Sequence, residues 1–179
     1  MRYAAFLRAI NVGGRNVPMA RLKAILESLG LRDVRTVIAS GNVVFETDDS
    51  NVKRIEVRIE RALHDAVGWV ADTFVRTPEE LRGAIAACPF SASEIEGSGA
   101  YVIAFLHEEP EPEVQARLEG LESDADRLVV RGRELYWLCA TRQSDSKFSN
   151  AVLERVLGNR ATMRGLPTLE RVLAMLGGD

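Results

Sequence analysis

Four consecutive residues, Gly13-Gly14-Arg15-Asn16, carry the clearest chemical signal in the chain. Paired glycines let backbone N–H groups approach an anion, and the adjacent arginine adds a charge-assisted donor. The quartet follows an apolar run and precedes a helical pattern, so a helix N-terminus would reinforce the attraction. With Arg8 and Asn11 upstream, the candidate set is Arg8, Asn11, Gly13, Gly14, Arg15 and Asn16, for a small phosphate- or carboxylate-bearing ligand. The segment is neither a GxxxxGK phosphate loop nor GxGxxG, so no cofactor is expected. The plainer account of the same residues is a flexible turn with glycines at positive φ.

Other groups are weaker. Ser40-Gly41-Asn42 is explained by hairpin chemistry alone, although Ser40 and Asn42 remain secondary candidates. Ser144-Asp145-Ser146-Lys147 has the S-x-x-K spacing in which a desolvated lysine activates a serine for acyl transfer. Its S-D-N and K-T-G companions are missing, and a serine helix cap with a solvated lysine accounts for these residues. Arg142, Lys147 and Arg164 could instead cluster as cations, so Ser146, Lys147 and Arg164 are carried as further secondary candidates. His64 and His107 stand alone and the two cysteines, Cys88 and Cys139, lack ligand spacing, so no metal site is expected. Unpaired thiols point to a reducing, cytoplasmic setting. No run approaches the length of a membrane helix, so no membrane partner is expected.

These residues must be positioned by alternating strands and helices. Residues 3–10 are almost wholly apolar, as a strand covered on both faces requires. Pro18 opens a helix whose Leu22, Ile25, Leu26 and Leu29 recur at helical spacing up to Gly30. Residues 34–39 and 43–47 read as a hairpin around Ser40-Gly41-Asn42. A helix with Ile55, Ile59 and Leu63 on one face runs to Gly68, and 69–76 reads as a strand. Thr77-Pro78-Glu79-Glu80 is a capping box opening another helix. The order then recurs, with a strand at 101–107, a helix at 112–121, a hairpin around Gly132, a helix at 146–157, an extended piece at 160–164 and a last helix after Pro167.

The recurrence is a duplication. Gly30, Gly41 and Gly68 map onto Gly120, Gly132 and Gly158 at offsets of 90, 91 and 90 residues. Each copy reads βαββαβ with a trailing helix, giving an α+β chain of two tandem ferredoxin-like units with antiparallel sheets, residues 1–95 and 96–179, packed together. Tyr3 maps to Tyr101 at an offset of 98, so the first strand-to-helix connection is eight residues longer in copy one. A loop the scaffold does not need is where function concentrates.

Charge narrows the partners. The net charge is −3, yet residues 1–45 hold seven Lys/Arg against Glu27 and Asp33, which is +5 and leaves −8 for the rest. An acidic protein is a poor non-specific nucleic-acid binder, and 6% aromatics offers few stacking platforms. The leading expectation is therefore a small-anion binding protein. The alternative is a nucleic-acid or protein-interaction module that uses the basic first third. No residue pattern specifies a reaction.

Tyr3-Ala4-Ala5-Phe6-Leu7-Arg8-Ala9-Ile10-Asn11-Val12-Gly13-Gly14-Arg15-Asn16-Val17-Pro18-Met19 and Val34-Arg35-Thr36-Val37-Ile38-Ala39-Ser40-Gly41-Asn42-Val43-Val44-Phe45 resemble the bacterial domain of unknown function 1697. The likeness extends through Ser146-Lys147 to Ala161-Thr162-Met163-Arg164. It implies a duplicated ferredoxin-like architecture and no particular activity. Ala9 stands where that family usually has glycine, and Met163-Arg164-Gly165-Leu166 lacks the tryptophan of the family's T-R-N-W element.

Overall fold

A computed structural model describes residues 1–38 and 41–177. Its elements follow the hydrophobic pattern. β1 (Arg2–Leu7) is buried on both faces, which is why its sequence is apolar without alternation. α1 (Met19–Ser28) starts after Pro18 and buries Leu22 and Leu26. β2 (Arg32–Val37), β3 (Asn42–Glu46) and β4 (Thr73–Arg76) complete an antiparallel sheet of order β2-β3-β1-β4.

α2 (Val52–Val67) begins where the Asn51 side chain accepts the Arg54 N–H at 2.9 Å. Its apolar stripe, Ile55, Ile59 and Leu63, packs with Tyr3, Ala5, Leu7, Val43, Phe45 and Val75 of the sheet. Each such burial is worth roughly 1.5–3 kcal/mol. α3 (Pro78–Ala86) opens with the expected capping box: the Glu80 N–H donates to Thr77 Oγ1, and the Thr77 N–H donates to the Glu80 carboxylate.

The second set of elements is α4 (Ala92–Glu96), β5 (Ala100–Leu106), α5 (Pro112–Glu119), β6 (Asp126–Arg131), β7 (Glu134–Cys139), α6 (Asn150–Leu157), β8 (Ala161–Gly165) and α7 (Leu166–Gly177). Its antiparallel sheet has the order β6-β7-β5-β8, the same as the first when the strands are matched in sequence. The chain is therefore α+β, with two ferredoxin-like units. Gly68 and Gly158 repeat one role: each ends its helix in the left-handed region, φ +82 and +70, and donates its N–H to the residue four earlier. Gly30 and Gly120 do not match in this way, because Gly120 stays right-handed at φ −66. By compactness the chain divides into Met1–Arg82 with the helix from Thr168 onward, and Gly83–Pro167, whereas the sequence repeat divides at residue 95. Arg2 donates to the Leu176 carbonyl at 3.3 Å, which ties the last helix to the first unit.

Carboxylates on the helices, and Glu122 just beyond α5, close three of the sheet edges. Glu56 and Glu60 of α2 accept the Val75 and Thr73 N–H groups of β4 at 2.9 and 2.8 Å. Glu119 and Glu122 accept the Val130 and Leu128 N–H groups of β6, and Glu154 accepts that of Ala161 on β8. Amides that would otherwise offer a pairing edge are thus satisfied within the unit.

Four local expectations need correction. The first strand stops at Leu7, not residue 10, because Ala9 and Asn11 sit at φ +58 and +59, outside the extended region. Residues 69–72 precede β4 without joining it. The helix expected from Ser146 starts at Asn150, capped by Ser149, whose Oγ accepts the Val152 N–H at 3.3 Å. Leu121 lies beyond α5 and is exposed. The short α4, held by a reciprocal Ser91/Glu94 capping box, was not anticipated. Cys88 and Cys139 are both free thiols, the second fully buried. Among the described residues no helix is long and apolar enough to cross a membrane, and no cluster of His, Cys, Asp and Glu could hold a metal ion.

Candidate functional site

Three connections of the first unit meet at one end of its sheet. The chain leaving β1 places the Leu7 N–H on the Gly41 carbonyl at 2.7 Å, in the β2–β3 turn. One residue on, the Arg8 N–H donates to the Asp72 carbonyl at 2.8 Å, just before β4, and the Arg8 guanidinium lies 3.7 Å from the Asp72 carboxylate. The β1–α1 loop, the β2–β3 turn and the α2–β4 connection are therefore neighbours. The sequence left open whether the first two share an end; the Leu7–Gly41 bond puts them together.

The β1–α1 connection spans residues 8–18, eleven residues, against five (107–111) for its counterpart. The excess is six rather than the eight expected, since element lengths absorb part of the offset. Asn11, at φ +59, braces it from within: its Oδ1 accepts the Val17 N–H at 2.8 Å. Beyond this brace Gly13 and Gly14, at φ +59 and +81, are exposed, and a Cβ at either would meet nothing within 4 Å. Arg15 is exposed, with its guanidinium carbon 5.8 Å from the centroid of the Trp69 ring, and Asn16 is exposed beside it. The Trp69 indole nitrogen is buried without a hydrogen-bond partner. α1 then begins without a side-chain cap and with no acidic residue in its first turn.

The charges of the first 45 residues are mostly spoken for. Arg2 pairs with Glu46, Arg8 with Asp72, Lys23 with Glu27, Arg32 with Asp48 and Arg35 with Asp33. Arg21 donates to the Ala66 carbonyl at 2.6 Å. Among the described residues Arg15 alone of the seven has neither an ion pair nor a carbonyl partner. The same end also exposes one aliphatic side chain from each connection, Val12, Ile38 and Val70, and Ile38 sits at φ +58, strained for a β-branched residue.

The secondary candidates sit elsewhere or serve the scaffold. Ser40 lies outside the described residues. Asn42 is fully buried on β3 and donates to the Val37 carbonyl at 3.1 Å, bracing the hairpin. In the second unit Ser146 Oγ lies 2.8 Å from both carboxylate oxygens of Asp126 and accepts the Phe148 N–H, so it pins the segment before α6. Asp126 also accepts from Trp137 Nε1 at 2.8 Å and from Ser123 at 3.1 Å. Lys147 is exposed. Arg164 donates to Thr162 Oγ1 and the Met163 carbonyl, and burial pushes its pKa down to about 10. Arg76, at the matching place on β4, donates likewise to the carbonyl of the residue before it and is fully buried.

The protein-of-unknown-function family DUF1697 matches residues 1–136, three quarters of the chain and all of the loop end just described. This protein belongs to that family. Over 98% of its length it also superposes on 98% of the conserved bacterial protein SP0830 from Streptococcus pneumoniae, with a TM-score of 0.74 and 27% identity. No curated protein matches it. Ala9 holds its backbone in the left-handed region, φ +58, a conformation that glycine adopts without steric cost. Trp69 and Asp72 were missed as site residues. A tryptophan directly after the helix-ending Gly68 was the available signal.

Proposed function

We propose that this chain binds a small ligand bearing a phosphate or carboxylate at the three-connection end of the first unit. The observation that carries this reading is Arg15: exposed, stacked on Trp69, and without an anionic partner among the described residues. The open backbone of Gly13 and Gly14 supplies amides that orient the anion, and Arg15 supplies charge-assisted bonds. Val12, Ile38 and Val70 offer contact to an apolar part of the ligand. The free thiols of Cys88 and Cys139 support a reducing, cytoplasmic setting. The ion pairs that occupy Arg2, Arg8, Lys23, Arg32 and Arg35 weigh against a polyanion-binding module.

A calorimetric and thermal-shift screen of inorganic phosphate, sugar phosphates, nucleotides, acyl phosphates and simple carboxylates tests this. Arg15→Ala should weaken the best anion about tenfold or more, the loss of one charge-assisted bond. Gly14→Val should do the same by excluding φ +81, at a cost of roughly 1–2 kcal/mol or more in left-handed strain and a few degrees of melting temperature that leaves the chain folded. If no anion binds the wild type at millimolar concentration, or if both variants bind like the wild type, the loop is a connector only.

A further inference from the structure

The second unit contains a cleft of about 280 Å³ beside α4. Its lining includes the apolar side chains of Ala125 and Leu138 and the polar ones of Glu94, Ser98, Asp124 and Arg127. This volume suits a ligand the size of an amino acid, near the lower limit of ordinary small-molecule sites.

The polar groups of the lining are committed unequally. Glu94 accepts the Ser91 N–H and hydroxyl and pairs with Arg127, so its pKa falls to about 2 and it stays ionised. Its charge neutralises that of Arg127, whose guanidinium also lies 4.9 Å from the Phe90 ring centroid. A guanidinium has five N–H donors, and the bond to Glu94 leaves others for a second carboxylate. The Ser98 hydroxyl hydrogen is given to the Ile95 carbonyl at 2.8 Å, so toward the cleft this oxygen can only accept. Asp124 is exposed and, among the described residues, has neither an ion pair nor a side-chain hydrogen bond.

We propose that this cleft binds a small zwitterion of amino-acid type, its carboxylate on Arg127, its ammonium on Asp124 and Ser98, and its apolar side chain over Ala125 and Leu138. A plain anion would face the unpaired Asp124 carboxylate. A plain cation would leave the spare donors of Arg127 unused. A zwitterion with an apolar body satisfies both ends and covers Ala125 and Leu138. This site is independent of the anion-binding loop in the first unit.

Titration calorimetry on the full chain with leucine, leucinamide and N-acetyl-leucine tests the assignment. Leucine should bind at least about tenfold more tightly than either derivative, because each lacks one charged end. Asp124→Asn, at an exposed position with no hydrogen bond or ion pair among the described residues, should weaken leucine about tenfold or more without lowering the melting temperature. The three titrations are repeated on Arg15→Ala, which removes carboxylate binding at the first-unit loop, and the preference for leucine should persist there. The proposal is overturned if leucine gives no signal at roughly 10 mM, well above a millimolar dissociation constant, if the derivatives bind as tightly as leucine, or if Asp124→Asn binds like the wild type.

Discussion

The Leu7 N–H donates to the Gly41 carbonyl at 2.7 Å, and a Cβ built at Gly41 would lie 2.8 Å from the Leu7 carbonyl oxygen. At that separation backbone must move, and the backbone in question is the end of the central strand β1. Gly41 also sits at φ +76. This one contact holds the β2–β3 turn against the start of the candidate loop.

Gly41→Ala should therefore be markedly destabilising. The left-handed conformation alone costs roughly 1–2 kcal/mol, and the clash adds to it. Gly132→Ala is the control, since Gly132 has φ +56 but nothing within 4 Å of its Cβ position. For a chain of this size each kcal/mol lowers the melting temperature by about 2–4 °C. Differential scanning calorimetry should show the larger drop for Gly41→Ala; equal drops would mean that the close approach is not what requires glycine there.

Ala9→Gly should stabilise the protein. Ala9 holds φ +58 with a side chain that disfavours it. Relief of roughly 1–2 kcal/mol is offset in part by the greater unfolded-state freedom of glycine, roughly 0.4–1 kcal/mol. A rise of about 2–4 °C in melting temperature follows from a net gain near 1 kcal/mol. A fall would show that the left-handed residue is held without strain.

Asp126→Asn should lower stability in a pH-dependent way. Burial would raise the pKa of Asp126, but hydrogen bonds from Ser146, Trp137 and Ser123 outweigh it, so the pKa lies below the ordinary value. A depressed carboxylate pKa stabilises the fold fully above the unfolded value, roughly 3.9, and that contribution is lost as pH falls through the folded value. At neutral pH the substitution should cost about 1.5–3 kcal/mol, the range for a hydrogen bond to a charged group. Urea melts from about pH 6 down to about pH 2 should show the gap between wild type and variant closing as acid removes the charge. A gap that stays constant would assign the effect to packing.

The sequence by itself determined the α+β class, the duplication and most elements, because these rest on local rules. Apolar periodicity set the helix faces of α1 and α2, and Gly68 and Gly158 marked equivalent helix ends. The unbroken apolar run of β1 foretold burial on both faces. Its end at Leu7 was hidden, since Ala9 and Asn11 look neutral in sequence yet adopt φ +58 and +59. The start of α6 was misread because Ser146 and Ser149 are chemically alike. Only the tertiary position of Asp126 assigns the first to a carboxylate and leaves the second as the cap. Likewise, a locally basic third was legible, but which charge stays unpaired was not. Glu46, Asp48 and Asp72 lie 44, 16 and 64 residues along the chain from the arginines they meet. Pairing across such distances is decided by strand order and register, and that same long-range packing left Arg15 on Trp69 with no acidic partner among the described residues.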